Sequence, residues 1–252
     1  MAEPMLRVEQ VSKRFGGLLA VDRASFAVEQ GRITALIGPN GAGKTTLFAM
    51  IAGFLAPSEG RIVYQQTDIG GEPPHRLARR GIARTFQIVQ PFAGLSVREN
   101  IAIGAHLTRA GRADALAAAD AVARAVGLGE QLDRPAASLT VAGRKRLELA
   151  RALAIEPKLL LLDEVLAGLN PSEIRDMVPV VRDVRDRGVT ILMIEHVMQA
   201  VNSLAEHVFV LNEGRIIAQG SPQAIASDPR VVEAYLGHGV AARMAAQGTT
   251  HA

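Results

Sequence analysis

Gly38-Pro39-Asn40-Gly41-Ala42-Gly43-Lys44-Thr45-Thr46 is the stretch on which the reading of this chain turns. It fits the phosphate-loop pattern G-x-x-x-x-G-K-[ST], with Gly38, Gly43, Lys44 and Thr45 in the defining places. The flanks fit as well: 33–37 is a short apolar run of strand character, and 45–51 opens as a helix. The residue types have physical reasons. Glycines let the backbone turn tightly and aim consecutive N–H groups at phosphate oxygens, at the positive end of a helix. Lys44 adds a point charge toward the β- and γ-phosphates, and the Thr45 hydroxyl is a ligand for Mg²⁺. A glycine-rich turn that binds nothing explains the loop alone but not its strand–loop–helix setting. The chain reads as nucleotide-binding.

Composition sets the bounds. With 252 residues, 48% apolar and 21% charged, the chain is long enough for a substantial core and has the make-up of a globular protein. It has no cysteine, which excludes a disulfide framework and a thiolate metal site and suits a reducing compartment. The N-terminus lacks the apolar core of a signal peptide. No apolar run approaches the roughly 20 residues of a membrane span. The net charge of +3 is mild and its basic residues are dispersed, so charge gives no indication of a nucleic-acid partner, and most charges read as solvated surface.

Along the chain, 6–11 and 24–29 alternate as half-buried strands, with a polar turn expected over 12–17. Phe15 in that turn fits either a core position or a stacking platform for an adenine ring. Further strands are expected at 60–64 and 82–86, with a short helix between them that has proline at its start and Gly81 after its end. From 90 to 156 strand patterning stops, and 113–126 is an alanine-rich helix. Strand–helix alternation resumes with 158–162, a helix over 171–187 and the fully apolar strand 189–194. A hairpin over 207–218 and two short helices complete the pattern. The expected architecture is α/β: a core of mainly parallel sheet with an antiparallel N-terminal β part and an inserted helical subdomain. The core takes 1–89 and 157–238, the helical subdomain 90–156, and 239–252 is a mobile tail.

A second constellation stands at Leu159-Leu160-Leu161-Leu162-Asp163-Glu164, with two acids at the carboxyl end of a buried strand, where open α/β sheets bind ligands. One carboxylate there can hold Mg²⁺, and its neighbour can orient or deprotonate a water. The next strand ends on Glu195-His196, and His196 falls on the same predicted edge.

With these residues in view, the chain resembles the ATPase subunits of ABC transporters over residues 4–237. The resemblance is closest to those of branched-chain amino acid importers. Gly81-Ile82-Ala83-Arg84-Thr85-Phe86-Gln87, Ala167-Gly168-Leu169-Asn170-Pro171, Ile194-Glu195-His196 and Ala234-Tyr235-Leu236-Gly237 all look like that subgroup. The resemblance implies a P-loop core of the ABC ATPase type, ATP as nucleotide and Mg²⁺ as metal. It places Phe15 where an adenine-stacking aromatic is expected, and Gln87 where a glutamine senses Mg²⁺ and the γ-phosphate, on a loop facing membrane subunits. It makes Asp163 the Mg²⁺ aspartate, Glu164 the catalytic carboxylate and His196 the switch histidine at the γ-phosphate. Asn170 lies in the loop that crosses to a partner ATPase.

One motif departs. Where the family signature is usually Leu-Ser-Gly-Gly-Gln, this chain has Leu139-Thr140-Val141-Ala142-Gly143. In the family, the signature of one subunit covers the γ-phosphate held by the other. Thr140 keeps the hydroxyl, Ala142 replaces the second glycine, and Gly143 supplies a glycine one place later. Val165, where proline is usual, and Asn170, where aspartate is common, are lesser departures. The implied partners are a second ATPase subunit, with a heterodimer favoured over a homodimer, two membrane permeases and, indirectly, an external solute-binding protein. No nucleic acid is implied, and the implied place is the cytoplasmic face of the cell membrane. The alternative is a non-transport or regulatory ABC-type ATPase with weak hydrolysis because of its signature.

Overall fold

The structure is a computed structural model and describes residues 4–86 and 90–236. Two sheets organise it. In the first, β1 (Leu6–Phe15) lies between β2 (Leu18–Val28) and β4 (Glu59–Tyr64), with β5 (Thr67–Asp68) outside β4, all antiparallel. The second contains β3 (Ile33–Ile37), β6 (Ile82–Arg84), β7 (Leu159–Asp163), β8 (Thr190–Ile194), β9 (His207–Asn212) and β10 (Arg215–Gly220). Its order is β10-β9-β3-β8-β7-β6, parallel throughout except for the β9–β10 hairpin.

The central strands β3, β7 and β8 are buried at every residue. That is why they read as unbroken apolar runs: both faces are covered, so alternation has nothing to record. Leu161, Leu192 and Ile194 share one core with helix α1 (Lys44–Ile51) and the inner face of the antiparallel sheet. Leu160, Leu162, Ile191 and Met193 face the other way, into a core shared with the helices.

Helix α2 (Pro74–Arg79) precedes β6. Between β6 and β7 come α3 (Val97–Ala105), α4 (Arg112–Ala125) and α5 (Val141–Leu153). Ser96 and Glu99 cap α3 reciprocally, so its start is written in sequence although its short apolar pattern is not. The alanines of α4 are more than propensity: Ala115, Ala119 and Ala123 recur every fourth residue on its buried face and let α3 and α5 approach closely. Helix α6 (Pro171–Asp186) starts on an Asn170 capping box, with α7 (Met198–Leu204), α8 (Pro222–Ala226) and α9 (Pro229–Leu236) beyond it.

The polar turn expected over 12–17 is a correction. β1 runs on to Phe15, and only Gly16 and Gly17 turn the chain. Gln10 and Arg23 adopt left-handed backbone at φ of 49° and 47°, and the β1–β2 register shifts nearby. Such bulges place Val11 and Ser12 inside together, so the period of two fails although the ladder continues. The strand expected over 82–86 is also shorter, ending at Arg84. The tail at 239–252 lies outside the described residues.

Candidate functional site

The sheet order decides the site. β8 lies between β3 and β7, so the carboxyl ends of three adjacent parallel strands open on one edge. The phosphate loop follows the first, Asp163 and Glu164 end the second, and Glu195 and His196 follow the third. Residues far apart in sequence thus meet where open α/β sheets take ligands.

Within the loop, a Cβ on Gly38 would lie 1.9 Å from the Leu211 carbonyl oxygen, and one on Gly43 would lie 2.4 Å from that of Ala20. Both positions have left-handed backbone, at φ of 151° and 104°. Packing against β2 and β9, not turn propensity alone, demands glycine here. Lys44 is buried and donates to the carbonyls of Gly38 at 2.7 Å and Pro39 at 2.9 Å. Burial pushes its ammonium below the usual lysine range, while the negative charges of Glu164 and Asp163 pull the other way. A cleft of about 620 Å³ is walled by Phe15, Asn40, Gly41, Ala42, Gly43, Lys44, Thr45, Thr46 and Glu164. Phe15 sits half-exposed at its mouth, with the Lys13 ammonium 5.3 Å from the ring centre.

Glu164, like Glu213 across the same cleft at 45°, has a left-handed φ of 50°. Three contacts hold it there. Its N–H donates to the Ile194 carbonyl at 3.0 Å, and its own carbonyl accepts from Ala167 N–H at 3.2 Å and from the Lys145 ammonium at 3.0 Å. A non-glycine residue in this region persists only when its surroundings over-determine it, and such residues cluster at functional sites. The His196 Nδ1 stands 3.7 Å from a Glu164 carboxylate oxygen. Behind them Glu195 is buried, one oxygen accepting from Leu166 N–H at 3.0 Å and the other without a hydrogen-bond partner among the described residues. Burial pushes its carboxyl up to about 7, opposed by the Leu166 N–H and reinforced by nearby Glu164.

Asp163 is buried, and its Oδ2 accepts from the Arg84 guanidinium at 2.6 Å. Its N–H donates to the Thr85 hydroxyl. For Mg²⁺, the chain offers hard oxygen donors, the Thr45 hydroxyl and the Asp163 carboxylate. Among the described residues no group of three or more His, Asp or Glu side chains gathers as a cage. Few protein oxygens, with phosphate and water completing the shell, is the donor set Mg²⁺ favours, so the residues fit the ion.

Gln87, expected beside these groups, lies outside the described residues. Thr140, Ala142 and Gly143 are not in the wall of the phosphate cleft. They form the start of α5, where the Thr140 hydroxyl accepts from Gly143 N–H at 3.1 Å as an N-cap. The replacement of glycine by Ala142 leaves the helix start intact.

Four contributors escaped the sequence reading. Arg84 and Lys145 looked like two among many surface cations, yet Lys145 is buried on the Glu164 carbonyl and Arg84 is mostly withdrawn from solvent on the Asp163 carboxylate. Glu195 stood beside His196, but nothing in sequence marked it as buried. Burial raises the pKa of the Tyr235 hydroxyl and the backbone of Gly38 lowers it, which places α9 beside the first loop glycine.

The profile of the ABC transporter family matches residues 21–167, and that of the branched-chain amino acid ATP-binding cassette transporters matches 215–241. The high-affinity branched-chain amino acid transport ATP-binding protein BraF of Pseudomonas aeruginosa is 38% identical, the match covering 94% of this chain and 99% of that protein. LivG of Escherichia coli K12, of the same description, is 37% identical with the same coverage. Among solved structures, the ADP conformation of an ATP-binding cassette of an ABC transporter superposes with a TM-score of 0.86 at 34% identity, covering 94% of this chain and 100% of that one.

Proposed function

The chain belongs to the ABC transporter family as an ATP-binding cassette, and from that premise we propose that it is the ATP-hydrolysing subunit of an importer for branched-chain or related amino acids. The observation that carries the proposal is Glu164, held in a strained left-handed conformation in the wall of the phosphate cleft, with His196 beside it.

In this reading the loop N–H groups and Lys44 bind the β- and γ-phosphates, Thr45 and Asp163 hold Mg²⁺, and Phe15 stacks on the adenine. When bound, Mg²⁺ supplies positive charge to the β- and γ-phosphate oxygens. Glu164 orients the attacking water and accepts its proton as the O–P bond forms and the bond to ADP breaks. His196 contacts the γ-phosphate and Gln87 reports on it from the loop beyond β6. The backbone of Glu164 needs no rearrangement before attack, because Ile194, Ala167 and Lys145 already fix it.

A second ATPase subunit, most simply a different chain, completes the site by laying its signature over the γ-phosphate, and Thr140 to Gly143 return the service. In this reading 1–89 and 157–238 act as the nucleotide core and 90–156 as the signature subdomain. No helix among the described residues is long and apolar enough to cross a membrane, and two permease subunits supply the route. The cassette sits peripherally at the cytoplasmic face, and an external binding protein contributes indirectly. An apolar groove of about 230 Å³, lined by Phe54, Ile82, Phe86, Ile103 and Ile155, offers the permeases a seat.

The test is phosphate release from ATP by the chain with its partner ATPase and permeases, against the same assembly carrying Glu164→Gln. Hydrolysis that survives the substitution, or a chain that never co-purifies with permeases, overturns the reading.

A further inference from the structure

We propose that Arg84 is a positioning residue that ties the Asp163 carboxylate to the apolar groove, so that the packing of Phe54 and Phe86 sets how well the cassette takes Mg²⁺ with its nucleotide. The inference rests on the functional reading above and adds a residue and a route to it.

Three observations converge on this side chain. Arg84 is 11% exposed and Asp163 is 3% exposed, so their 2.6 Å contact is an ion pair mostly withdrawn from water. Taking both charges out of water costs about as much as their attraction returns, so such a pair is a poor way to gain stability and a good way to fix geometry. Second, the guanidinium is not saturated by hydrogen bonds: its Nε is buried without a partner among the described residues. Aromatic faces hold it instead. Its central carbon lies 5.6 Å from the Phe54 ring centre and 5.7 Å from that of Phe86, and the two rings meet edge to face at 5.8 Å. Third, both rings are about half-exposed and line the groove, whereas the carboxylate they reach through Arg84 is inaccessible.

The connection is short and made of side chains. A contact in the groove moves a ring, the ring carries the planar guanidinium, and the guanidinium turns the carboxylate that holds one Mg²⁺ position. Lysine in place of Arg84 keeps the charge and loses the plane that lies against the two rings.

The experiment measures binding of a fluorescent ATP analogue to the purified chain, in EDTA and across a Mg²⁺ titration, with thermal melting to confirm folding. Arg84→Met is expected to raise the half-saturating Mg²⁺ roughly tenfold, the usual scale for losing a partner that orients a metal ligand. Binding in EDTA should change less than about twofold by the same argument, because the phosphate-loop contacts remain. Arg84→Lys should recover little of the loss. Phe54→Ala, which touches neither Asp163 nor the cleft, should shift the Mg²⁺ requirement the same way by a smaller factor. An unchanged Mg²⁺ requirement in Arg84→Lys overturns the proposal, as does a Phe54→Ala variant indistinguishable from the parent. These two keep the test decisive if Arg84→Met fails to fold. A parent chain that binds no nucleotide sinks the functional reading instead, so the two failures are distinct.

Discussion

The loop at 38–46 and the helix start at 140–143 each stand at the N-terminus of a helix, α1 and α5, yet different surroundings shape them. The first is wedged between other elements: at Gly38 and Gly43 a Cβ would strike the carbonyls of Leu211 and Ala20. The second stands at the surface, with Val141 exposed and its cap made locally by Thr140. At Gly143 a Cβ would come no closer than 3.3 Å, to a Leu139 side-chain carbon. A loop whose shape is dictated by its neighbours keeps its glycines, while a helix start that makes its own shape can carry Val141 and Ala142 in the two places where the family run has glycine. The departure at Ala142 therefore reads as drift within a working helix terminus more readily than as loss of function.

The hardest blow to this contrast comes from Gly38→Ala. It places a Cβ against backbone at a left-handed φ, and a stability loss on the order of 3 kcal/mol is expected in denaturant unfolding, with loss of nucleotide binding. A well-folded, nucleotide-binding variant would remove the claim that packing dictates the loop. Glu164→Gln leaves binding intact and should lower hydrolysis roughly a hundredfold or more. Making the equivalent change in the partner ATPase sharpens the comparison. Equal losses of transport mean that both signatures serve, and a larger loss from this chain's Glu164 means that its own signature serves less well.

Glu195 lies at the seam between the two regions, beside Leu166, Glu164 and Lys145. Its carboxyl is raised from 4.5 to about 7 by burial, so the folded state keeps a proton that the unfolded state releases. Stability should then fall as pH rises from 4.5 toward 7 and stay low above it. Glu195→Gln removes that slope, and its melting curves should match the parent near the acid end and show a gain on the order of 3 kcal/mol at alkaline pH. A gain that is independent of pH would show that ionisation is not the cost. At the signature, Thr140→Ala removes a cap and should cost about 1 kcal/mol. Ala142→Gly is expected to be the mildest, within about 1 kcal/mol through helix propensity, with partner-stimulated ATPase nearly unchanged. A large rise in that ATPase would restore the view that Ala142 cripples the site it covers.

Much of this was legible without coordinates, for identifiable reasons. The phosphate loop needs fixed residue types at fixed spacing, so it announces itself. The strands β3, β7 and β8 are buried on both faces, and runs such as 159–162 and 190–194 admit few other readings. Helix α6 has its cap, its proline and its terminal Gly188 in the text. The β1–β2 ladder was harder, because left-handed Gln10 and Arg23 break the alternation that marks a strand. Helices α3 and α7 are too short for periodicity to declare them.

The chemistry came from the sequence: a phosphate loop, two acids at a strand end, a histidine at the next and, through the family resemblance, a signature run with Val141 and Ala142 in its glycine places. These depend on neighbours in the chain, and neighbours are what a sequence records. The tertiary structure alone decided which charges are solvated and which are buried. Arg84 and Lys145 are indistinguishable in text from the surface arginines around them. Only the strand order β3-β8-β7-β6 and the seat of α5 bring one to the Asp163 carboxylate and the other to the Glu164 carbonyl. A charge acquires its meaning from the dielectric and the partner around it, and both are properties of the packed fold.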